Sequence, residues 1–232
     1  NLGADFAGHL TTSYPLLVRR DLGDSISAIL RPEGEQWLAI STEREDRLTN
    51  ADKRWLEMAG KTQHSAIYDN RSGFVRSTKE VDHDWVTFGQ GVLTSEINWR
   101  QQTLMHRSWH LRDVVWAEDD SRRICEIHRK WPCCAKDLVR MFPGKCDAKT
   151  IEIATTEPYR EMSCRHVVME ADQYYGGTAY KKRFKVGGDD MLYVSVVLDE
   201  ENQCLMEEEQ RKYLGYVIPR FKTISGSQYA IS

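Results

Sequence analysis

The sequence lacks any long hydrophobic run. Its most apolar stretch, residues 192–198, is far shorter than the roughly 20 residues that cross a bilayer, so we expect no membrane span. It also lacks a strong charge bias, since its formal net charge is −3, which argues against a nucleic-acid partner. Hydrophobic residues make up 41% and charged residues 29% of the 232 positions, which excludes wholesale disorder and predicts one large or two small globular domains.

Signatures of common enzymes are missing as well. The chain contains no G-x-S-x-G motif, no Walker A motif and no dinucleotide-binding fingerprint. It also shows no internal repeat and no low-complexity tract. Because no complete catalytic set is present, we favour a non-catalytic binding or assembly protein, such as a subunit of a complex, that requires no cofactor.

The six cysteines allow two interpretations. They are Cys125, Cys133, Cys134, Cys146, Cys164 and Cys204. An even number in a secreted chain is compatible with three disulfides. The irregular spacing and the adjacent Cys133 and Cys134 differ from a small disulfide scaffold, and no signal peptide is visible. We therefore expect reduced thiols in an intracellular, soluble protein, with a secreted protein as the alternative.

Residues 1–131 read as an antiparallel β-rich region. Period-two apolar sequence surrounds turn-forming residues at 32–35, 70–73 and 118–121, which predicts three hairpins. One helix is expected over residues 51–59, capped by Asn50 and ended by Gly60. Residues 95–112 favour a strand over a helix, because their apolar residues do not line up along one side of a helix.

The rest of the chain reads as a helical connector, residues 132–148, and a second α+β region, residues 149–232. The order β-α-β-β-α-β, typical of ferredoxin-like folds, follows from strands at 150–154, 180–186, 191–198 and 216–224 and helices at 159–169 and 203–214. Residues 191–198 are apolar on both faces and predict a central strand covered on both sides. The predicted class is therefore α+β. The alternative takes residues 165–170 as a strand and gives a single antiparallel barrel or sandwich.

A short acidic motif offers a second functional hypothesis. Residues 187–190 read Gly-Gly-Asp-Asp between two strands, and four turn-forming residues in a row predict a tight hairpin. The motif resembles the GGDD hairpin of palm-type polymerases and nucleotide cyclases. That resemblance implies Mg²⁺ ligation by Asp189 and Asp190, with Glu152 as the one available third carboxylate. The alternative function is therefore a metal-dependent nucleotidyl or phosphoryl transferase.

Thiols and an imidazole also define a candidate zinc site. Its members are Cys125, His128, Cys133 and Cys146. Thiolate and imidazole ligands suit tetrahedral zinc, although this spacing matches no standard zinc finger. Buried free cysteines that pack as small apolar side chains are the competing interpretation.

Tryptophan is concentrated in the first 131 residues, which contain all seven. Such residues pack cores, but they are also enriched where proteins bind partners. We predict that Trp85, Trp99, Trp109 and Trp116 supply the main binding surface, either for a protein partner or for a small apolar ligand.

Overall fold

The computed structural model describes residues 11–32, 34–43, 47–99, 101–175, 185–186 and 189–231, with only the backbone of residues 185–186, 189–190 and 231. The helices in these ranges are α1 (Tyr14–Leu30), α2 (Asn50–Ile67), α3 (Phe74–Phe88), α4 (Ala135–Met141), α5 (Ala148–Thr156) and α6 (Ala171–Tyr175). The chain forms two compact units, Asn1–His110 with Gly215–Ser232 and Leu111–Leu214. The boundaries predicted at residues 131 and 148 stay a prediction about domains.

The strands pair antiparallel. In the first unit they are β1 (Val92–Asn98), β2 (Thr103–Trp109), β10 (Tyr216–Val217), β11 (Lys222–Thr223) and β12 (Ala230–Ile231). In the second unit they are β3 (Val114–Glu118), β4 (Ile124–Cys134), β5 (Glu161–Glu170), β6 (Lys185–Val186), β7 (Asp189–Asp190), β8 (Tyr193–Asp199) and β9 (Cys204–Arg211). Helices and antiparallel sheets together confirm the α+β class.

The first unit places α3 against a three-stranded sheet of order β10-β1-β2. Val81 of α3 and Val92 of β1 are buried there. Gly91 directly precedes β1, and a Cβ atom there would lie 3.1 Å from the Val81 carbonyl oxygen. Only glycine permits this approach of helix and strand. The α3–sheet contact is therefore the core of the first unit.

The β-rich prediction for the first part of the chain is wrong, because α1, α2 and α3 contain about twice as many of its described residues as its strands do. The predicted hairpin around residues 32–35 is α1 followed by a loop. The apolar residues Ile26, Ala28 and Leu30 alternate as in a strand, but they lie on a helix that ends just before Pro32. The hairpin around residues 70–73 is instead a 3₁₀ turn between α2 and α3, with the Asp69 side chain accepting the Arg71 backbone N–H at 2.8 Å.

The helix predicted over residues 51–59 exists and is longer. Its cap is Thr49 rather than Asn50: the Thr49 hydroxyl accepts the Asp52 N–H, while the Asp52 carboxylate accepts the Thr49 N–H. This reciprocal pair satisfies two backbone donors that would otherwise lack partners. Gly60 does not end the helix but is buried within it.

The second unit is built on an open five-stranded sheet of order β3-β4-β5-β8-β9. Its edge strands are β3 and β9, so a single closed barrel is the wrong alternative. The predicted hairpin around residues 118–121 is confirmed as β3 and β4. The predicted central strand is confirmed as β8, which pairs with β5 and β9.

Apolar clusters cover both faces of this sheet. One contains Ala135, Leu138, Met162, Cys164, Val197 and Met206. The other contains Ala171, Val194 and Val196. Because Val196 and Val197 are neighbours in β8 and belong to different clusters, both faces of that strand are covered. The short helix predicted within residues 132–148 is confirmed as α4, which supplies Leu138.

The ferredoxin-like order is wrong at three elements. Residues 150–154 belong to helix α5, residues 161–170 form strand β5 and residues 204–211 form strand β9. In β5, burial alternates from Met162 through His166, and pairing with β4 and β8 on either side stabilises the strand. The rival assignment of residues 165–170 to a strand is confirmed.

Strand β9 contains the charged residues that favoured the prediction of a helix over residues 203–214. Its three glutamates resemble the first half of a helix, but a sheet edge also tolerates charged side chains. Each finds a partner in the second unit: Lys145 lies 3.4 Å from Glu207, the Tyr174 hydroxyl donates to Glu208 at 3.3 Å, and Arg211 lies 2.9 Å from Glu209.

Candidate protein-binding surfaces

The four predicted tryptophans differ sharply in exposure. Trp99 is 79% exposed, whereas Trp116 in β3 is 3% exposed. Trp85 and Trp109 are half-buried. Trp99, Trp85 and Trp109 belong to the first unit and Trp116 to the second. The prediction that these residues bind a partner therefore stays open, with Trp99 the member best placed to do so.

Two of these side chains have structural contacts that account for them. The Trp85 ring meets the Phe221 ring edge-on, with 5.1 Å between centroids. The Trp109 indole N–H donates to the Thr94 hydroxyl at 2.9 Å, across the pair β1–β2. Both contacts hold elements of the first unit together, so Trp85 and Trp109 stabilise the fold.

Trp99 lies at the tip of the β1–β2 hairpin. The two strands pair up to Asn98 and Thr103, and the Asn98 side chain accepts the Gln101 backbone N–H at 3.2 Å. This hydrogen bond closes the turn and fixes the backbone on either side of the tip. Ile97, two positions away, is 52% exposed. The hairpin tip thus presents the Trp99 ring beside the Ile97 side chain.

Helix α1 carries a second exposed apolar surface. Its large exposed apolar residues include Tyr14, Leu17, Val18, Leu22 and Ile29. Tyr14, Val18, Leu22 and Ile29 recur at intervals of four or seven residues, which places these four along one side of the helix. Sequence reasoning missed this surface because residues 14–24 were given no structure. The available signal was Pro15 in the first turn followed by that spacing.

A cavity of about 590 Å³ also lies within the first unit, between α1, α2 and α3. His64, Tyr68 and Phe74 form an aromatic wall, with 4.6 Å between the stacked His64 and Tyr68 rings. Asp24 and Ser27 of α1 line it as well, so α1 meets the cavity largely with polar groups.

The candidate zinc ligands are not assembled into a site. Cys125 and His128 lie three positions apart in β4, on opposite faces, and the His128 Nε2 atom lies 2.6 Å from Glu126. Cys133 and Cys146 pack against the apolar cluster of the second unit. Among the residues that the structure describes, no three His, Cys, Asp or Glu side chains are grouped to hold a metal.

Burial also disfavours the thiolate form of four of the cysteines. Burial raises the pKa of Cys125, Cys133 and Cys146, and raises that of Cys164 to about 12. A raised pKa keeps a thiol protonated and therefore a poor nucleophile and a poor ligand. All six cysteines are free, which confirms that Cys133 and Cys134 do not form a disulfide with each other.

Only some members of the predicted acidic site lie among the described side chains. Glu152 is exposed on α5 rather than on a strand facing the hairpin. Strands β6 and β7 pair with Val186 opposite Asp189, as a hairpin requires. Gly187 and Gly188, and the side chains of Asp189 and Asp190, lie outside the described residues. The strand that was to supply the third carboxylate does not exist.

No helix in the described part of the chain is both long and apolar enough to cross a membrane. A comparison with family models matches residues 3–232 to the family described as bacteriophage head to tail connecting protein. No curated protein matches the sequence. The family match covers all but two positions of the chain.

Proposed function

The chain belongs to the bacteriophage head to tail connecting protein family, and we propose from this that it acts through protein contacts in the junction between a phage head and its tail. The proposed partners are proteins of the head and the tail, not a small apolar ligand. Assembly of such particles takes place inside the infected cell, so the proposed location is intracellular.

The observation that supports a specific contact is the hairpin tip at Trp99. Tryptophan is enriched among the few interface residues that dominate binding energy. A ring that is 79% exposed beside the exposed Ile97 has apolar area available for a partner to cover. Because the Asn98–Gln101 hydrogen bond already orders the turn, little conformational entropy is lost on binding. We propose this tip as a contact with a neighbouring protein.

The transferase alternative is not favoured. It requires a third carboxylate near Asp189, and Glu152 was the only one in the strand predicted over residues 150–154. Glu152 lies instead on the exposed side of a helix. No observation on the described residues therefore supports the enzyme over the structural role.

The test is a binding assay with purified phage parts. The unmodified chain and the Trp99→Ala variant are mixed separately with tailless heads and with isolated tails, and the bound fraction is measured by sedimentation. We expect Trp99→Ala to weaken binding to one of the two by about tenfold or more, as for an interface residue that dominates binding.

Trp55→Ala is the matched control. Trp55 is also a strongly exposed tryptophan of the first unit, 60% exposed, but it lies on α2 rather than at the hairpin tip. Binding by this variant should equal that of the unmodified chain. Equal losses from both variants, or none from Trp99→Ala, would contradict the proposed contact. Failure of the unmodified chain to bind either part would contradict the proposed function itself.

A further inference from the structure

Helix α1 meets α3 with its more polar side. Its least exposed positions are Arg19, Gly23, Ile26 and Ser27, of which Ile26 alone is aliphatic, and it is half-buried. The approach is close at Gly23, where a Cβ atom would lie 2.6 Å from Nδ1 of His83. Most residues of α1 that could supply apolar contact, such as Val18 and Ile29, are exposed instead. Most of its apolar side chains therefore face solvent and its more polar side faces α3, the opposite of a helix that packs on a core.

Charged groups take the place of most apolar packing at this contact. Two ion pairs join the helix and the residue after it to α3, Arg31–Asp82 and Arg19–Asp84 at 3.9 Å, and the Asp24 carboxylate lies 3.5 Å from Nε2 of His83. Asp82 is buried, and burial raises its pKa despite the nearby Arg31. The burial of this carboxylate thus costs free energy that its partner does not fully offset.

Such a contact is easily exchanged for water. When α1 separates from α3, the buried charges regain their hydration, whereas a separated apolar interface would lose burial with no compensation. The Arg19–Asp84 pair and the Asp24–His83 contact are partly exposed, and exposed pairs contribute little and are screened by salt. The cavity between α1 and the aromatic wall further reduces the apolar area that docking buries.

We propose that α1 is a displaceable arm, which leaves α3 while α3, β1 and β2 stay folded. Apolar packing between α3 and the sheet involves other residues, since Val81 and Val92 are buried there. This inference does not depend on the proposed function, since it concerns only contacts within the chain.

Hydrogen–deuterium exchange on the intact chain tests the arm. Exchange is followed by mass spectrometry at about 0.1 M and about 1 M NaCl, between which the Debye length falls from about 10 Å to about 3 Å. A free helix as short as the 17 residues of α1 is only marginally stable, so displacement exposes its amides. We expect α1 amides to exchange about tenfold faster at high salt, while α3, β1 and β2 change less than about twofold.

Two variants sharpen the test at low salt. Arg31→Gln removes a partner of the α3 contact and should speed α1 exchange. Arg20→Gln is the matched control, since Arg20 pairs with Asp21 of the same helix and should leave exchange unchanged. If Arg31→Gln does not fold, the salt comparison on the unmodified chain decides. The proposal is overturned if salt leaves α1 unchanged, or if α1 and α3 lose protection together.

Discussion

Acid should destabilise the second unit through His166. This side chain of β5 is 6% exposed, and its Nε2 atom lies 2.8 Å from the Ser195 hydroxyl of β8. Burial, followed by the positive charges of Arg129 and Arg211, lowers the pKa of His166 to about 3. The folded chain therefore holds this imidazole in its neutral form at any pH near neutrality.

The sign and size of the effect follow from that pKa. A free histidine has a pKa near 6.5, so the unfolded chain binds a proton that the folded chain does not as the pH falls below that value. The stability from neutral His166 is complete above about pH 6.5 and is lost as the pH falls toward about 3. At about 1.4 kcal/mol per pH unit, the loss is about 2 kcal/mol at pH ~5 and approaches about 5 kcal/mol at pH ~3.

The assay compares urea unfolding of the unmodified chain and His166→Gln at several pH values. Glutamine does not titrate and retains a group that hydrogen-bonds Ser195. Between pH ~6.5 and ~5, the unmodified chain should lose about 2 kcal/mol more free energy of unfolding than the variant. His106, whose pKa burial also lowers, is present in both proteins and does not affect the difference. Equal pH dependence in the two proteins would refute the assignment of a buried neutral imidazole.

Three further predictions test the packing. Trp116→Ala should cost about 3–5 kcal/mol in the free energy of unfolding, whereas Trp99→Ala should change it by less than about 0.5 kcal/mol; similar values for the two in urea titrations would contradict their burial. Asp199→Ala should lower the free energy of unfolding by about 2–3 kcal/mol in the same assay, because the buried Asp199 carboxylate accepts the Thr150 hydroxyl at 2.6 Å. A stability within about 0.5 kcal/mol of the unmodified chain would show that this hydrogen bond is dispensable. Thiol titration of the denatured, unreduced chain should find all six cysteines free, and fewer than six would contradict the structure.

The sequence predicted the fold where local patterns and long-range packing agree. Strand β8 is apolar on both faces and does lie between two strands. Helix α4 lies within residues 132–148, where helical structure was predicted. The errors occur where one pattern fits two structures. Met162 and His166 lie four positions apart, a spacing that places both on one side of a helix or both on one face of a strand, and only the neighbours β4 and β8 decide between the two.

For the candidate site at the hairpin tip, the sequence indicated the residue type, tryptophan, but not which tryptophan is exposed. The concentration of tryptophan in the first part of the chain led to the prediction of a binding surface there, and Trp99 is strongly exposed whereas Trp116 is buried. Exposure itself was not readable, because Trp99 and Trp116 both stand in strand-forming sequence and differ in what the folded chain places over them. The outward apolar side of α1 was equally hidden, since an apolar stripe ordinarily marks the buried side of a helix.

Photo-crosslinking in assembled particles shows whether the hairpin tip touches another protein of the particle. A photoreactive phenylalanine analogue replaces Trp99 in one protein and Trp55 in another, and each is incorporated into phage particles before illumination. The account predicts a covalent adduct between position 99 and another structural protein of the particle, identified by mass spectrometry, and a much weaker adduct from position 55. Absence of the chain from particles, or equal adduct yields at the two positions, would contradict the claim that the hairpin tip connects this protein to its neighbours.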